Sequence, residues 1–362
     1  MNLEFRYAML DQNHGRGAQS NPTSQFLKQE VEGDLEFYEH LHLSGETLRQ
    51  KTSFQKVSPK SIVNKVESPD LPFGYSMNPY QGCEHGCIYC YARTTHEYWG
   101  YSAGRDFESK ILVKSNAATL LRKKFDSKNW SGEPILLSGN TDCYQPIERK
   151  LEITRSILQV CREYRNPVGI ITKNAMVLRD LDILSEMAEM NLVHVVLSIT
   201  SLNEKLREKL EPRTSTSGLR FNAVRRLSES GVPVSVMMAP VIPAINSTEI
   251  MKIAEKAAEN GAVMLNHTIV RLNGVIGQLF EEWLEEHFPE RKEKVLHQIK
   301  ELHGGDLSDS RFKVRMRGEG EYADQISKMF VLARKKYGLN RERSALDSSL
   351  FRRAKEGQLS LF

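Results

Sequence analysis

Residues 74–90 read Gly-Tyr-Ser-Met-Asn-Pro-Tyr-Gln-Gly-Cys-Glu-His-Gly-Cys-Ile-Tyr-Cys. A short extended segment runs straight into a loop that carries Cys83, Cys87 and Cys90. Three thiolates so close together can hold three irons of a [4Fe–4S] cluster and leave the fourth iron without a protein ligand. An open iron is where a small molecule can bind and react, whereas a closed structural site wants a fourth ligand. Gly82 and Gly86 let the backbone curl around a bulky inorganic core, which a Cβ would hinder. The same residues admit a structural zinc site, completed by His85 or His96.

Outward from this loop, strands and helices alternate. Pro134–Ser138 is a short apolar run bounded by turn formers, which predicts a buried strand. The following helix is expected to present Ile147, Leu151, Leu158 and Cys161 on one face. Strands are expected at 168–172, 193–199, 232–239 and 262–270, with helices at 177–190, 218–230 and 250–260, the last closed by Gly261. Counting the segment before the cysteines, six strands alternate with helices, so the strands should be parallel with helical crossovers. No Gly-x-Gly-x-x-Gly follows the first strand, which disfavours a dinucleotide-binding sheet. The cysteine loop occupies the first strand-to-helix position instead, and in barrels reactive residues come from the C-terminal ends of strands. The expectation is an α/β fold, a partial (β/α)6 TIM-type barrel. An N-terminal arm (1–65) would precede the core (66–290). A C-terminal helical extension (291–345) and a flexible tail (346–362) would follow it, and two further helices, over 281–302 and 322–337, are expected between the barrel and the tail.

Across its 362 residues the chain has no run of eighteen apolar residues, and its polar N-terminus lacks the apolar core of a signal peptide. Five cysteines, three of them clustered, do not suggest a disulfide framework. A reducing cytoplasm fits, with no membrane partner. The net charge of +4 is too small to prove a nucleic-acid partner. Arg341, Arg343, Arg352, Arg353 and Lys355 could lie along a phosphate backbone or belong to a solvated tail.

The C-terminal strand ends carry polar residues throughout: Ser138-Gly139-Asn140-Thr141-Asp142, Thr172-Lys173-Asn174, Ser198-Ile199-Thr200, and then Glu211-Pro212-Arg213. A zwitterionic sulfonium ligand needs such groups, a cation for its carboxylate and acceptors for its amine and hydroxyls. The Cys-x3-Cys-x2-Cys spacing with an aromatic before the last cysteine resembles the radical S-adenosylmethionine (SAM) enzymes. In that family the open iron takes the amino and carboxylate groups of SAM, which is cleaved to a 5′-deoxyadenosyl radical. Over residues 65–275, the segments 141–146, 198–200 and 210–215 look like those of the spore photoproduct lyase-like branch, often labelled DNA repair photolyases.

The resemblance implies that Cys83, Cys87 and Cys90 hold the cluster and that Tyr89 packs near the SAM adenine. It also implies that Thr141 and Asp142 lie near the methionyl amine or ribose, and that Lys173 and Ser198 contact SAM. An external electron donor such as flavodoxin or ferredoxin would be required. Arg213 is a candidate partner for the SAM carboxylate. Where the lyase has a hydrogen-donating cysteine this chain has Gly139, leaving Cys143 as the candidate donor, while Cys161 falls on an apolar helix face.

The final residues Gln358, Leu359, Ser360, Leu361 and Phe362 resemble the pentapeptide with which bacterial repair proteins bind the sliding clamp. Two apolar anchors and a directional amide suit such a ligand. The function expected is a radical SAM enzyme acting on DNA, for repair of a lesion or modified base. One alternative keeps the chemistry and acts on RNA or protein; the other is a non-catalytic, zinc-stabilised module recruited to the clamp.

Overall fold

The computed structural model describes residues 15–24, 26, 51–341 and 345–353. The strands are β1 (Ser53–Lys56), β2 (Val63–Lys65), β3 (Tyr75–Met77), β4 (Tyr80–Gln81), β5 (Lys110–Val113), β6 (Ile135–Leu137), β7 (Val168–Thr172), β8 (Val193–Ser198), β9 (Val234–Val241) and β10 (Met264–Ile269). One sheet runs in the order β10-β9-β8-β7-β6-β3-β2. Its neighbours from β3 to β10 pair in parallel. This is the partial barrel of six parallel strands that the strand–helix alternation predicts. Strands β6, β7 and β8 are buried along almost their whole length, because a parallel sheet is covered on both faces.

β2 lies antiparallel on the outer side of β3, so the boundary expected after residue 65 cuts between paired strands. A second sheet, ordered β1-β5-β4, has no counterpart in the sequence reading. β4 leads directly into the cysteine loop, and the Cys83 N–H donates to the Phe107 carbonyl at 2.8 Å.

Three further expectations are corrected. Leu151 is 40% exposed rather than on the buried face. Glu152, in the left-handed region at φ +50°, breaks the chain into helices Glu148–Leu151 and Ile153–Tyr164, which resets the helical phase. The helix expected over 281–302 is two, Ile276–His287 and Lys292–Leu302. Pro289 between them has no N–H to donate and clashes with the preceding turn. The tail expected to be flexible from residue 346 is held at 347–353. Phe351 presses on Gly132 and stands edge-on to Phe125, with ring centres 5.9 Å apart. The Arg352 N–H donates to Tyr164 O at 2.9 Å and the Arg353 guanidinium to Trp130 O at 2.7 Å. Those two arginines are therefore engaged with carbonyls of the barrel's outer layer. Residues 354–362, with the clamp-like pentapeptide, lie outside the described residues.

The barrel is open between its edge strands, and two connections bridge the gap. The Ile269 N–H donates to Met316 O at 3.0 Å. Asp70, ahead of β3, accepts from Arg315 Nε and from the Lys313 N–H, each at 2.6 Å. Among the described residues no helix is long and apolar enough to cross a membrane.

The described part of the N-terminal arm packs on the cysteine loop. The buried Glu108 carboxylate accepts the backbone N–H groups of Arg16 (2.6 Å), Gly17 (3.0 Å) and Ala18 (2.8 Å) and pairs with Arg93. A Cβ on Gly17 would lie 1.9 Å from the Gly86 carbonyl oxygen, so only glycine permits this approach.

Candidate active site

A cleft of about 330 Å³ opens at the C-terminal ends of the parallel strands. A larger depression of about 410 Å³, beside Phe221 and Lys256, contains none of the cysteines. All three loop cysteines line the strand-end cleft and are free thiols. The loop's tight path depends on Gly82 at φ +77° and Gly86 at φ +66°. At Gly82 a Cβ would also meet the Lys110 carbonyl at 2.9 Å.

Burial pushes the Cys87 thiol up, and Lys173 is the first charge that opposes it. Burial likewise raises Cys90, against the pull of Arg93. Charges that favour thiolates thus sit beside the cysteine loop. Among the described residues no three His, Cys, Asp or Glu side chains converge on a single-ion position. His85 is engaged elsewhere: its Nδ1 is 3.4 Å from Asp142 Oδ2. Burial lowers the His85 pKa, but Asp142 and Cys83 outweigh it and raise it to about 10. An imidazolium has no lone pair to give a metal. His96 packs between Tyr101 and Phe107, with ring centres 5.1 and 5.7 Å away. Three thiols on one loop, lining one cleft, fit a bridging iron–sulfur core better than a single zinc ion.

Thr141, Asp142, Lys173 and Ser198 all line the cleft, and Tyr89 forms part of its floor. Their polar atoms are differently committed. Thr141 Oγ1 donates to Tyr80 O at 3.0 Å, and its N–H to Asn78 Oδ1 at 3.2 Å. Asp142 accepts from Thr172 Oγ1 (2.7 Å), the Lys173 N–H (2.8 Å) and the Tyr144 N–H (2.9 Å), besides facing His85. Burial raises its pKa, but His85 and these donors hold it at about 2. A carboxylate so saturated orients its neighbours. Ser138, which begins this turn, sits in the left-handed region at φ +76°, and its hydroxyl accepts the Cys143 N–H at 2.7 Å. Strain of this kind, held by surrounding bonds, is common at functional sites.

Lys173 Nζ lies 5.7 Å from the centre of the Tyr89 ring. The Tyr89 hydroxyl donates to Glu211 and lies 3.4 Å from Thr200 Oγ1. Burial lowers the Lys173 pKa, but Cys87 and Glu211 outweigh it and raise it, so the ammonium is kept. Glu211 was named in the sequence only as part of a polar segment and given no role of its own. It is fully buried, 2.6 Å from Arg220, and accepts from Thr200 as well. Its neighbour Arg213, the candidate carboxylate partner, is instead paired with Glu84 at 2.8 Å and does not line the cleft. An acid within the same Glu-Pro-Arg segment was the available signal, but nothing in sequence says which of the two turns inward.

Cys143 is not brought to the cleft. Its side chain is completely buried in the main apolar core, and its carbonyl accepts Thr154 Oγ1 at 2.6 Å. Cys161 is in the same core, as its helix face predicts.

A cysteine-lined cleft at the mouth of a parallel partial barrel defines a class of iron–sulfur enzymes that bind a small polar cofactor at the strand ends. The family description "Radical SAM superfamily" matches residues 77–257. Rv2578c of Mycobacterium tuberculosis, described as an uncharacterized protein, is 32% identical over 241 residues, 66% of this chain and 71% of that one. MJ0683 of Methanocaldococcus jannaschii, described likewise, is 28% identical over 248 residues, 68% of this chain and 88% of that one. Spore photoproduct lyase complexed with dinucleoside spore photoproduct superposes with a TM-score of 0.56 at 16% identity, covering 87% of this chain and 86% of the lyase. A lyase variant with bound AdoMet and the same dinucleoside has a TM-score of 0.56 at 15% identity, with the same coverage. The chain belongs to the radical SAM superfamily and is a radical SAM enzyme, which implies SAM and an iron–sulfur cluster as its cofactors.

Proposed function

We propose that this enzyme carries one [4Fe–4S] cluster on Cys83, Cys87 and Cys90 and acts on DNA, at a damaged or modified base. The observation that carries the reading is the shared cleft, with three free cysteines on one side and the polar strand ends on the other. When bound, the cluster and SAM supply one-electron cleavage of SAM to methionine and a 5′-deoxyadenosyl radical, which abstracts hydrogen from a substrate carbon. Lys173 offers the SAM carboxylate a cation whose charge is sustained by Glu211 and Cys87. Ser198 adds a hydroxyl from the end of β8, and Tyr89 an aromatic surface for the adenine. Thr141 and Asp142 act as positioning residues, since their oxygens already hold the backbone of neighbouring strand ends.

DNA is favoured by the likeness to the lyase structures with bound dinucleoside spore photoproduct and by the clamp-like sequence Gln358, Leu359, Leu361, Phe362. The partners proposed are therefore a DNA substrate, the bacterial sliding clamp, and an electron donor of the flavodoxin or ferredoxin kind. The test is anaerobic reconstitution with iron and sulfide, followed by 5′-deuterated SAM and lesion-bearing oligonucleotides. Deuterium in the oligonucleotide establishes the reading. A protein that holds zinc and cleaves no SAM overturns the chemistry, and deuterium appearing only in RNA or peptide overturns the substrate.

A further inference from the structure

We infer that Arg271 is the substrate anchor of the cleft and takes a phosphodiester beside the reacting nucleotide; this rests on the DNA reading above. Arg271 lies just beyond β10 and lines the cleft together with Tyr91 and Arg315. Its guanidinium stands over the Tyr91 ring, 5.5 Å from the centre. The aromatic contact fixes the plane of the fork but takes none of its five N–H donors.

Most of the other half-buried or buried arginines near the site have an acid. Arg93 has Glu108, Arg213 has Glu84, Arg220 has Glu211 and Arg315 has Asp70. Arg271 has no ion pair with a carboxylate among the described residues. The nearest acid that acts on it is Asp70, which already serves Arg315 and the Lys313 N–H. Arg271 is held instead beside the like charge of Arg315 in a partly dehydrated mouth. Such an arrangement is unfavourable until an anion arrives.

The anion is assigned to substrate rather than to SAM by position. The groups suited to SAM come from the ends of β6, β7 and β8, whereas Arg271 follows β10 at the sheet's edge, next to the gap bridged by Asp70 and Arg315. The aromatic ring under Arg271, Tyr91, is 46% exposed. An exposed aromatic ring under a planar cation suits a single nucleic-acid strand, whose bases stack while a guanidinium holds the backbone.

The test uses reconstituted holoenzyme and a fluorescein-labelled single-stranded oligothymidylate, read by anisotropy across a salt titration. Arg271→Gln is expected to weaken binding about 10- to 100-fold, as loss of a charge-assisted contact should. It should also reduce the slope of log affinity against log salt by about 0.7, one phosphate contact on a single strand. Arg271→Lys should restore part of the affinity and the slope. Calorimetry should give the same SAM affinity for all three proteins. Unchanged oligonucleotide affinity in Arg271→Gln overturns the inference and leaves the DNA reading standing. A fall in SAM affinity instead reassigns Arg271 to the methionyl carboxylate. If the wild-type holoenzyme binds no oligonucleotide, the DNA reading fails and the phosphodiester assignment fails with it.

Discussion

His85, in the middle of the cysteine loop, faces Asp142 at the end of the second parallel strand, with Nδ1 and Oδ2 3.4 Å apart. This contact ties the cysteine loop to the turn at the end of β6, the two segments proposed to hold the cluster and to shape the SAM pocket. Because Asp142 also holds the Lys173 N–H, three segments of the cleft share one carboxylate.

Asp142→Asn should therefore act on geometry. The variant keeps the shape of the side chain but leaves the His85 charge buried without its partner. Breaking such a pair costs about 3–5 kcal/mol. Chemical denaturation should show a loss in that range, and calorimetry on the reconstituted protein a SAM affinity weaker by about 1–3 kcal/mol. Wild-type values in both would show that the turn is held without Asp142.

Replacing Cys83, Cys87 or Cys90 by alanine should abolish both iron retention and SAM cleavage, since two thiolates cannot hold the cluster with one iron open. Cys143→Ala and Cys161→Ala should retain iron, because both thiols lie in the apolar core. Cys143→Ala should also leave turnover of the substrate radical intact. Iron content and 5′-deoxyadenosine release measure both sets. Full iron in any of the first three, or its loss in either of the last two, means a different ligand set.

The buried pair of Glu211 with Arg220 predicts a pH dependence of stability. Burial raises the Glu211 pKa, but Arg220, Lys173 and the hydroxyls of Thr200 and Tyr89 outweigh it and hold it at about 2. A folded-state pKa below the unfolded value gives stability that is fully present above about pH 4.5 and lost as the pH falls through 2. At 1.36 kcal/mol per unit the contribution is about 3 kcal/mol. Urea titrations between pH 5 and pH 2 should show that loss in the wild type and a shallower slope in Glu211→Gln. Parallel slopes would mean that Glu211 does not titrate in this range.

The C-terminal segment separates into two testable parts. Phe351→Ala should release 347–353, seen as faster hydrogen exchange at the Arg352 amide now bonded to Tyr164 O, with a modest loss of stability of about 1–2 kcal/mol. Removal of Gln358 to Phe362 should abolish binding to the sliding clamp, expected in the micromolar range or about −8 kcal/mol, and leave SAM cleavage unchanged. Alanine at Leu361 and Phe362 together should match the deletion. Absence of clamp binding by the intact protein at high micromolar concentration removes that partner.

Much of the barrel was legible because its strands are apolar runs that need cover on both faces, as in 168–172 and 193–198. The cysteine loop was legible because its chemistry is local. What escaped is non-local. β1, β4 and β5 are only two to four residues long, and their pairing joins segments far apart in the chain. The docking of Phe351 depends on a notch at Gly132, more than two hundred residues earlier. The choice of Glu211 over Arg213 for the interior is set by where Arg220 and Glu84 stand in space. Pro289 was a readable break, and the continuous helix drawn across it ignored a local rule.

The contact of Gly17 with Gly86, fastened by Glu108, bears on how the enzyme survives air. Cutting the chain at residue 66, where the regular alternation starts, would keep every cysteine and all six parallel strands of the barrel. It would also strip away the cover that residues 15–18 lay over the back of the loop, leaving Glu108 and Arg93 facing solvent. Oxygen would then reach the iron–sulfur core from behind as well as from the cleft. The shortened protein should bleach faster under aerobic handling than the full-length chain, although none of its ligands has changed.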